Sequence, residues 1–329
     1  MRVVLLHTSE AADPPEDPVL AQLENALSQG GHQTERVAVG DDIEPVAAAM
    51  RRVQPELVFN TAEAFGGKSS LESNVAALLN LLGLRYTGSS PAGLLLAGDK
   101  ILAKQVLNFH GIQTPKFASV FRGSLESTQD ITFPLIVKPP QEDASIGVTS
   151  KSVVNDISEL LERIALIQHE FKQPALLEQF IDGREFYVGV LGNTDAEALP
   201  IIELDFSGFP AGVPKIASWD AKWGEDGAGP DKGAEFEGTR SVIARGLDEA
   251  LATRIKEVAV ESFQALRLRD YGRIDLRVTA AGEIYVIEVN PNCYLEREGE
   301  FARAAAEAGI AYESLVTRIV ELAAARYSR

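Results

Sequence analysis

Apolar residues along the first third of the chain switch repeatedly between two spacings. "RVVLLHT" (2–8) is a short continuous apolar run, the pattern of a buried strand, and "PVLAQLENALSQGGH" (18–32) has helical spacing that stops at a glycine pair. "TERVAVG" (34–40) reads as a second strand, "IEPVAAAMRRVQ" (43–54) as a helix and "PELVFNT" (55–61) as a strand. "LESNVAALLNLLG" (71–83) and "RYTG" (85–88) follow as a helix and a short strand. Strands alternating with helices predict a parallel sheet, and this first unit is expected to span residues 1–95.

The pattern then changes. A helix "GDKILAKQVLNFHG" (98–111) closes at Gly111, and "IQTPKFASV" (112–120) leads in extended form into a second unit expected over 96–182. That unit holds strands "PLIVKPP", "VTSKSVV" and "PALLEQFI", a loop "QEDASIG" and a helix "DISELLERIALIQH", an α+β composition. A third unit, expected over 183–329, has strands "REFYVGVLG" and "ALPIIELDF", a polar Gly-rich stretch "ASWDAKWGEDGAGPDKGAEF", and a hairpin "YGRIDLRVTAAGEIYVIEVNPN" (271–292). Helices "DEALATRIKEVAVESFQALR" and "YESLVTRIVELAAARYS" complete it. The predicted fold class is α/β, an N-terminal parallel domain followed by two α+β domains.

Composition narrows the function classes. The 329 residues are too many for one modest core, and hydrophobic residues at 45% with charged ones at 24% are globular values. No apolar run approaches the roughly 20 residues of a membrane helix, and the opening strand is too short to read as a signal peptide, so a cytoplasmic location is expected. A single cysteine, Cys293, excludes an internal disulfide framework, and four scattered histidines lack ligand spacing. Cys293 reads as a thiol nucleophile or as a small residue in a loop. A net charge of −17 repels nucleic-acid backbones, while a small polyanion such as a nucleotide can still be held by a few aimed lysines.

Two segments carry candidate chemistry. "AEAFGGKSS" (62–70) follows a strand and precedes a helix, so Gly67, Lys68 and Ser69 approximate a phosphate-cradling P-loop. "SSLE" reads equally as a capping box between Ser69 and Glu72. In the 271–292 hairpin, Arg273 with Asp275, and Glu288 with Asn290, are pairs two residues apart and share strand faces. If the strands pair antiparallel, both sets converge. Two carboxylates and an amide are hard-oxygen ligands of the kind Mg²⁺ takes, and Arg273 adds charge where an oxyanion would sit. A surface hairpin with cross-strand ion pairs has the same residues. Lys100 at a helix start and Lys138 at a strand end can reach phosphates or be ordinary exposed cations. "LLEQFIDGREF" sets Glu178 and Glu185 either side of Phe180 and Ile181, an apolar slot with carboxylates that suits a nucleoside or a solvated hairpin.

These motifs, in this order, resemble the ATP-grasp superfamily and within it the D-alanine–D-alanine ligases, across nearly the whole chain. The resemblance implies a fold that grips ATP between its two α+β domains. "RID" and, thirteen steps after Asp275, "ExN" match the family's metal signature, which makes Asp275, Glu288 and Asn290 ligands of two Mg²⁺ ions, with Mn²⁺ an acceptable substitute. Arg273 falls on the arginine that stabilises acyl phosphate and tetrahedral species. Lys100 and Lys138 fall on ATP-phosphate contacts, Ser145 on the loop over the phosphates, and Glu178, Phe180, Ile181 and Glu185 on the adenine and ribose segment. "WDAKW" resembles the mobile loop, which gives Lys222 a γ-phosphate contact and a catalytic role.

The departures lie on the substrate side. "HTSEAADPP" replaces the family's Gly-rich turn, Ala144 stands where a substrate-side serine is usual, and Trp223 replaces that serine's tyrosine partner. Glu63, Phe65 and Lys68 replace the family's His-Gly segment, and "CYLEREGEF" replaces the dipeptide-binding stretch. Glu63, Lys68 and Trp223 are therefore candidate substrate residues. Glu63, Asp143, Glu296, Glu298 and Glu300 could address a cationic amine, and Lys68, Arg297 and Arg303 a carboxylate, or each could be a solvated surface charge. The expected activity is ATP-dependent ligation of a small carboxylate to an amine through an acyl phosphate, with a substrate other than D-alanine and with the homodimer habit of the family. The alternatives are a P-loop NTPase or kinase using Gly67-Lys68-Ser69, and an ATP-binding module without turnover.

Overall fold

Three sheets organise the residues that the computed structural model describes: 1–8, 17–121, 124–127, 130–142, 145–209, 212–217 and 239–327. Lys222, Trp223, Asp143 and Ala144 lie outside them.

The first sheet is parallel, as the alternating pattern predicts. Strand β1 (Arg2–Thr8) lies between β2 (Gln33–Val39) and β3 (Leu57–Thr61), with helices α1 (Pro18–Gln29) and α2 (Ile43–Val53) making the connections. Asp17 starts α1 by accepting the Val19 amide, with Pro18 pre-set for the first turn, and Asp42 does the same for α2. Helices α3 (Glu72–Leu81) and α4 (Pro91–Gly98) follow. "RYTG" contributes only a bridge between Val58 and Tyr86. The Thr87 hydroxyl accepts the Asn60 amide, and Gly88, at φ +85°, turns the chain away before a ladder can extend.

After α5 (Lys100–Phe109), the second sheet is antiparallel. It comprises β4 (Phe117–Phe121), β5 (Ser124–Ser127), β6 (Leu135–Lys138), β7 (Val153–Val154) and, after α6 (Ile157–Glu170), β8 (Ala175–Gln179), in the order β5-β4-β8-β6-β7. The predicted strand "VTSKSVV" shrinks to β7 because Thr149 and Ser152 exchange side-chain and backbone hydrogen bonds around a tight helical turn.

The third sheet contains β9 (Arg184–Gly192), β10 (Glu197–Ala198), β11 (Ile202–Asp205) and β12 (Arg240–Ile243), then, after α7 (Glu249–Ala265), β13 (Asp270–Val278) and β14 (Ile284–Pro291). Its order is β12-β11-β9-β13-β14. Helices α8 (Glu300–Glu307) and α9 (Tyr312–Arg326) close the chain.

The cores show which parts are joined. Val3, Leu5 and Leu23 of the first unit share one apolar cluster with Tyr187, Phe301 and Leu315 of the third. Ala103 and Leu107 of α5 pack with Ile274 and Val286 of the third sheet. The second sheet has a core of its own around Leu135, Val137, Ile167 and Leu177. The chain enters the third sheet at Gly183, where an added Cβ would stand 2.2 Å from the Val278 carbonyl oxygen, so only glycine lets the start of β9 run this close to β13 beside it. Among the described residues no helix is long and apolar enough to cross a membrane.

The P-loop and capping-box readings of 62–72 do not survive. Phe65 and Lys68 pair across a two-residue turn in which Gly66 and Gly67 have φ +58° and +70°. The amides of Phe65, Lys68 and Leu71 donate to carbonyls within the turn and that of Gly66 to Gly40, so these donors cannot cradle a phosphate. The Ser69 hydroxyl donates to the Gln141 carbonyl at 3.4 Å, and α3 begins without a side-chain cap.

Candidate active site

The face of the third sheet that looks toward the second carries a row of charge. β13 pairs antiparallel with β14 so that Asp275 faces Glu288 and Arg273 faces Asn290. On its other side β13 pairs with β9, placing Arg277 opposite Glu185 and Asp275 opposite Tyr187. Arg273, Asp275 and Arg277 share this face because they are alternate residues, while Ile274, Leu276 and Val278 point into the core. The ladder shifts register after Asp275, where Ile287 is the extra residue of β14. Such a bulge re-aims its residue, and the Ile287 carbonyl accepts the Lys104 ammonium at 3.1 Å.

The charges on this face are neutralised pairwise. Arg273 grips Asp275 through Nε to Oδ1 at 2.8 Å and Nη2 to Oδ2 at 3.0 Å, and lies over the Tyr187 ring at 4.6 Å. Asn290 donates to Asp275 Oδ2 at 3.1 Å. Burial works against the guanidinium charge, but the Asp275 carboxylate outweighs it and holds the Arg273 pKa well above its ordinary value. Arg277 donates to Glu185 Oε2 from Nε and Nη2, to the Ile181 carbonyl at 2.8 Å and to the Lys215 carbonyl, with Phe180 under its plane at 5.2 Å.

Across the gap, Lys100 reaches Glu288 at 2.8 Å and the Glu142 carbonyl at 2.6 Å. Glu178, only 2% exposed, lies between Lys104 at 3.0 Å and Lys138 at 3.1 Å. Burial alone would raise the Glu178 pKa, yet the two ammoniums outweigh it and hold the carboxyl below its ordinary value. One carboxylate cannot compensate two cations. Burial, aided by Lys138, accordingly lowers the Lys104 pKa.

A cleft opens between the two sheets. It is lined by Lys100, Lys138, Ser145, Glu178, Phe180, Ile181, Glu185, Asp275 and Glu288, which brings together most of the residues singled out in the sequence. Ser145, at φ +62°, donates from its hydroxyl to the Ala217 carbonyl at 2.7 Å across the mouth. Arg273 and Asn290 reach the cleft through Asp275. A second cleft, lined by His7, Thr8, Asp17, Glu63, Tyr271, Cys293 and Tyr294, adjoins the first unit. Glu63 stands on its rim; Lys68 is exposed on its turn and lines neither cleft.

Two cations buried beside this site were not singled out in the sequence, Lys104 and Arg277. Each had a signal: Lys104 is four residues after Lys100 on one helix face, and Arg277 two after Asp275 on one strand face. Cys293 is buried, and burial pushes its thiol up to about 12 against the opposing effect of Arg273. The nucleophile reading therefore fails at neutral pH. Iodoacetamide at pH 7.5 is expected to label Cys293 only after denaturation; rapid labelling of the native protein would contradict this.

Asp275, Glu288 and Asn290 fit Mg²⁺ through the chemistry of the donor set. Among the described residues no three His, Cys, Asp or Glu form a cage, and Mg²⁺ is held characteristically by one or two carboxylates together with waters and phosphate oxygens.

Comparisons with known proteins agree with this geometry. A family model described as the D-ala D-ala ligase C-terminus matches residues 105–321. The uncharacterized protein y4sG of Sinorhizobium fredii is 33% identical over 95% of this chain and 89% of its own. A D-alanine–D-alanine ligase of Xanthomonas axonopodis pv. citri is 31% identical over 92% of this chain and 91% of its own. The crystal structure of a D-alanine–D-alanine ligase from Bacillus anthracis complexed with ATP superposes with a TM-score of 0.73 at 21% identity, over 100% of this chain and 99% of that one, which shows the ATP-grasp fold. By matched family model and by relatives along nearly its whole length, the chain belongs to the D-alanine–D-alanine ligase family.

Proposed function

We propose that the protein is an ATP-dependent carboxylate–amine ligase that forms an amide through an acyl phosphate. The observation that carries this reading is the cleft between the second and third sheets, where cations, an apolar slot and a carboxylate pair converge. The similarity to a D-alanine–D-alanine ligase of Xanthomonas and to a Bacillus ligase complexed with ATP supports it.

Phe180 and Ile181 hold the base, and Glu185 the ribose hydroxyls. Glu178 is the counter-ion that keeps Lys138 and Lys104 in place beside the base. Lys100, Lys138 and Ser145 address the phosphates, joined by Lys222 from the segment outside the described residues. Asp275, Glu288 and Asn290 would hold two Mg²⁺ ions, or Mn²⁺ in their place. When bound, the metal supplies neutralisation of charge on the transferring phosphoryl group. Glu288, paired here with Lys100, would be the residue to hold the metal, and Lys100 would then be available to a phosphate oxygen. Arg273 orients Asp275 and stabilises the oxyanion that forms when the amine attacks the acyl carbon. The second sheet, with its own core, is the part able to close over the cleft and exclude the water that would hydrolyse an acyl phosphate. D-Alanine is not the substrate in this reading, since the departures cluster on the acceptor side. A cytoplasmic homodimer is the working form.

Phosphate release measured over pairs of small carboxylates and amines tests the reaction. Release that requires both partners is expected; release with ATP alone, or with none of the pairs despite nucleotide binding, would contradict the ligase reading. Arg277→Met leaves the buried Glu185 carboxylate without its charged partner, so a loss of stability of about 3–5 kcal/mol is expected, and with Glu185 no longer held in place KM for ATP is expected to rise with little change in kcat. An unchanged KM would contradict its placement.

A further inference from the structure

The two faces of β14 change places part-way along the strand. Ile284 and Val286 are buried in the core shared with α5 and α7, and an unbroken strand would send Glu288 and Asn290 to that same side, since side chains alternate. Instead Val289 takes the next core position, Glu288 lines the cleft and Asn290 reaches Asp275. The inversion falls at Ile287. Asp275 faces Glu288 and Leu276 faces Val286, so Ile287 pairs with no residue of β13. Without this bulge, either Ile284 and Val286 would leave the core or the Glu288 carboxylate would enter it.

A bulge takes backbone groups out of the ladder, and buried ones need another partner. The Ile287 carbonyl has one in Lys104, whose ammonium donates to it at 3.1 Å. The same ammonium meets Glu178 Oε1 of β8 at 3.0 Å, so one side chain from α5 ties the bulge to the second sheet. The helix itself is anchored against this strand: Ala103 and Leu107 pack with Ile274 and Val286, and one turn before Lys104 the Lys100 ammonium reaches Glu288. Just ahead of the bulge, the Val286 amide donates to the Gln113 carbonyl at 2.9 Å. Lys104 is 2% exposed and is not among the described residues that line the cleft, so it acts on a ligand through other residues.

We propose that Lys104 is a positioning residue of the metal site. By holding the bulge at Ile287 it keeps Glu288 and Asn290 on the cleft face, opposite Asp275 and Arg273. The inference rests on the ligase reading, which places the divalent ions on Asp275, Glu288 and Asn290. An ammonium suits the task because a charged donor binds a carbonyl more strongly than a neutral one, and Glu178 keeps it from being an isolated buried charge.

Lys104→Met keeps most of the side chain and removes the donor, with Lys104→Leu as a second variant should the first not fold. The protein free of metal and nucleotide gives the first readout. Hydrogen exchange of a peptide covering 284–291 is expected to quicken in the variant, while β11 keeps its wild-type rate. Equal acceleration in both, or in neither, would make Lys104 a general fold contact and overturn the proposal. Calorimetric Kd of a non-hydrolysable ATP analogue with and without Mg²⁺ gives the second. The Mg²⁺-dependent gain is a ratio within one protein, so affinity lost through Glu178 cancels. It is expected to fall about tenfold or more, the usual loss when a group supporting a metal ligand is removed. A variant with the wild-type gain overturns the proposal and leaves the ligase reading intact, whereas a wild type without any gain refutes the metal assignment and the proposal with it.

Discussion

Replacing Glu178 with alanine is expected to lower the free energy of unfolding by about 3–5 kcal/mol, because it leaves Lys104 and Lys138 buried without a counter-ion. Lys104 is 2% exposed and Lys138 8%, so water cannot take over the lost role. Denaturant titration of wild type and variant measures the difference; a change below about 1 kcal/mol would mean that the cluster is solvated in solution. The pH dependence has a defined sign. Glu178 has a folded pKa below its ordinary value of 4.5, so its contribution is complete above that value and lost as pH falls through the folded pKa. Thermal stability of the wild type should thus fall below about pH 4.5 more steeply than that of Glu178→Gln. Lys104 acts at the other end. Its lowered pKa means the unfolded chain binds more protons above neutral pH, so this group adds stability as pH rises toward 10.5.

Arg273→Ala is expected to reduce kcat by about 10²–10³-fold, the usual loss on removing a donor aimed at a developing oxyanion. The same change frees Asp275, which Arg273 holds at two points, so part of the loss should appear as weaker Mg²⁺ dependence. Arg273→Lys keeps the charge without the two-pronged grip, and is expected to recover little. Single-turnover kinetics at saturating ATP separates the effects. A variant with wild-type kcat would remove Arg273 from the chemistry.

The strand patterns made the site's framework legible in advance. Alternation along 271–292 placed Arg273, Asp275, Glu288 and Asn290 on one face once antiparallel pairing was assumed, and the observed register puts Asp275 opposite Glu288. What stayed hidden depends on contacts between distant segments. Glu178 reads as a nucleoside contact because nothing local reveals that a lysine from α5 and another from β6 close around it. The bulge at Ile287 has no residue signature, so the carbonyl it turns toward Lys104 could not be foreseen. "AEAFGGKSS" misled for the converse reason: its residue types suit a phosphate loop, and only the observed partners of its amides decide against one. The pairing of Glu300 with Arg273 spans 27 positions and lies outside any motif; in the sequence Glu300 is one of several acidic candidates.

In the proposed function the nucleotide sits between the second and third sheets against the carboxylates of β13 and β14. Calorimetric binding of a non-hydrolysable ATP analogue with and without Mg²⁺ tests it most directly, using wild type, Glu288→Ala and Lys68→Ala. The expected result is that Glu288→Ala loses the Mg²⁺-dependent gain in affinity while Lys68→Ala keeps it. Full Mg²⁺ dependence in Glu288→Ala, with binding abolished in Lys68→Ala, would contradict it.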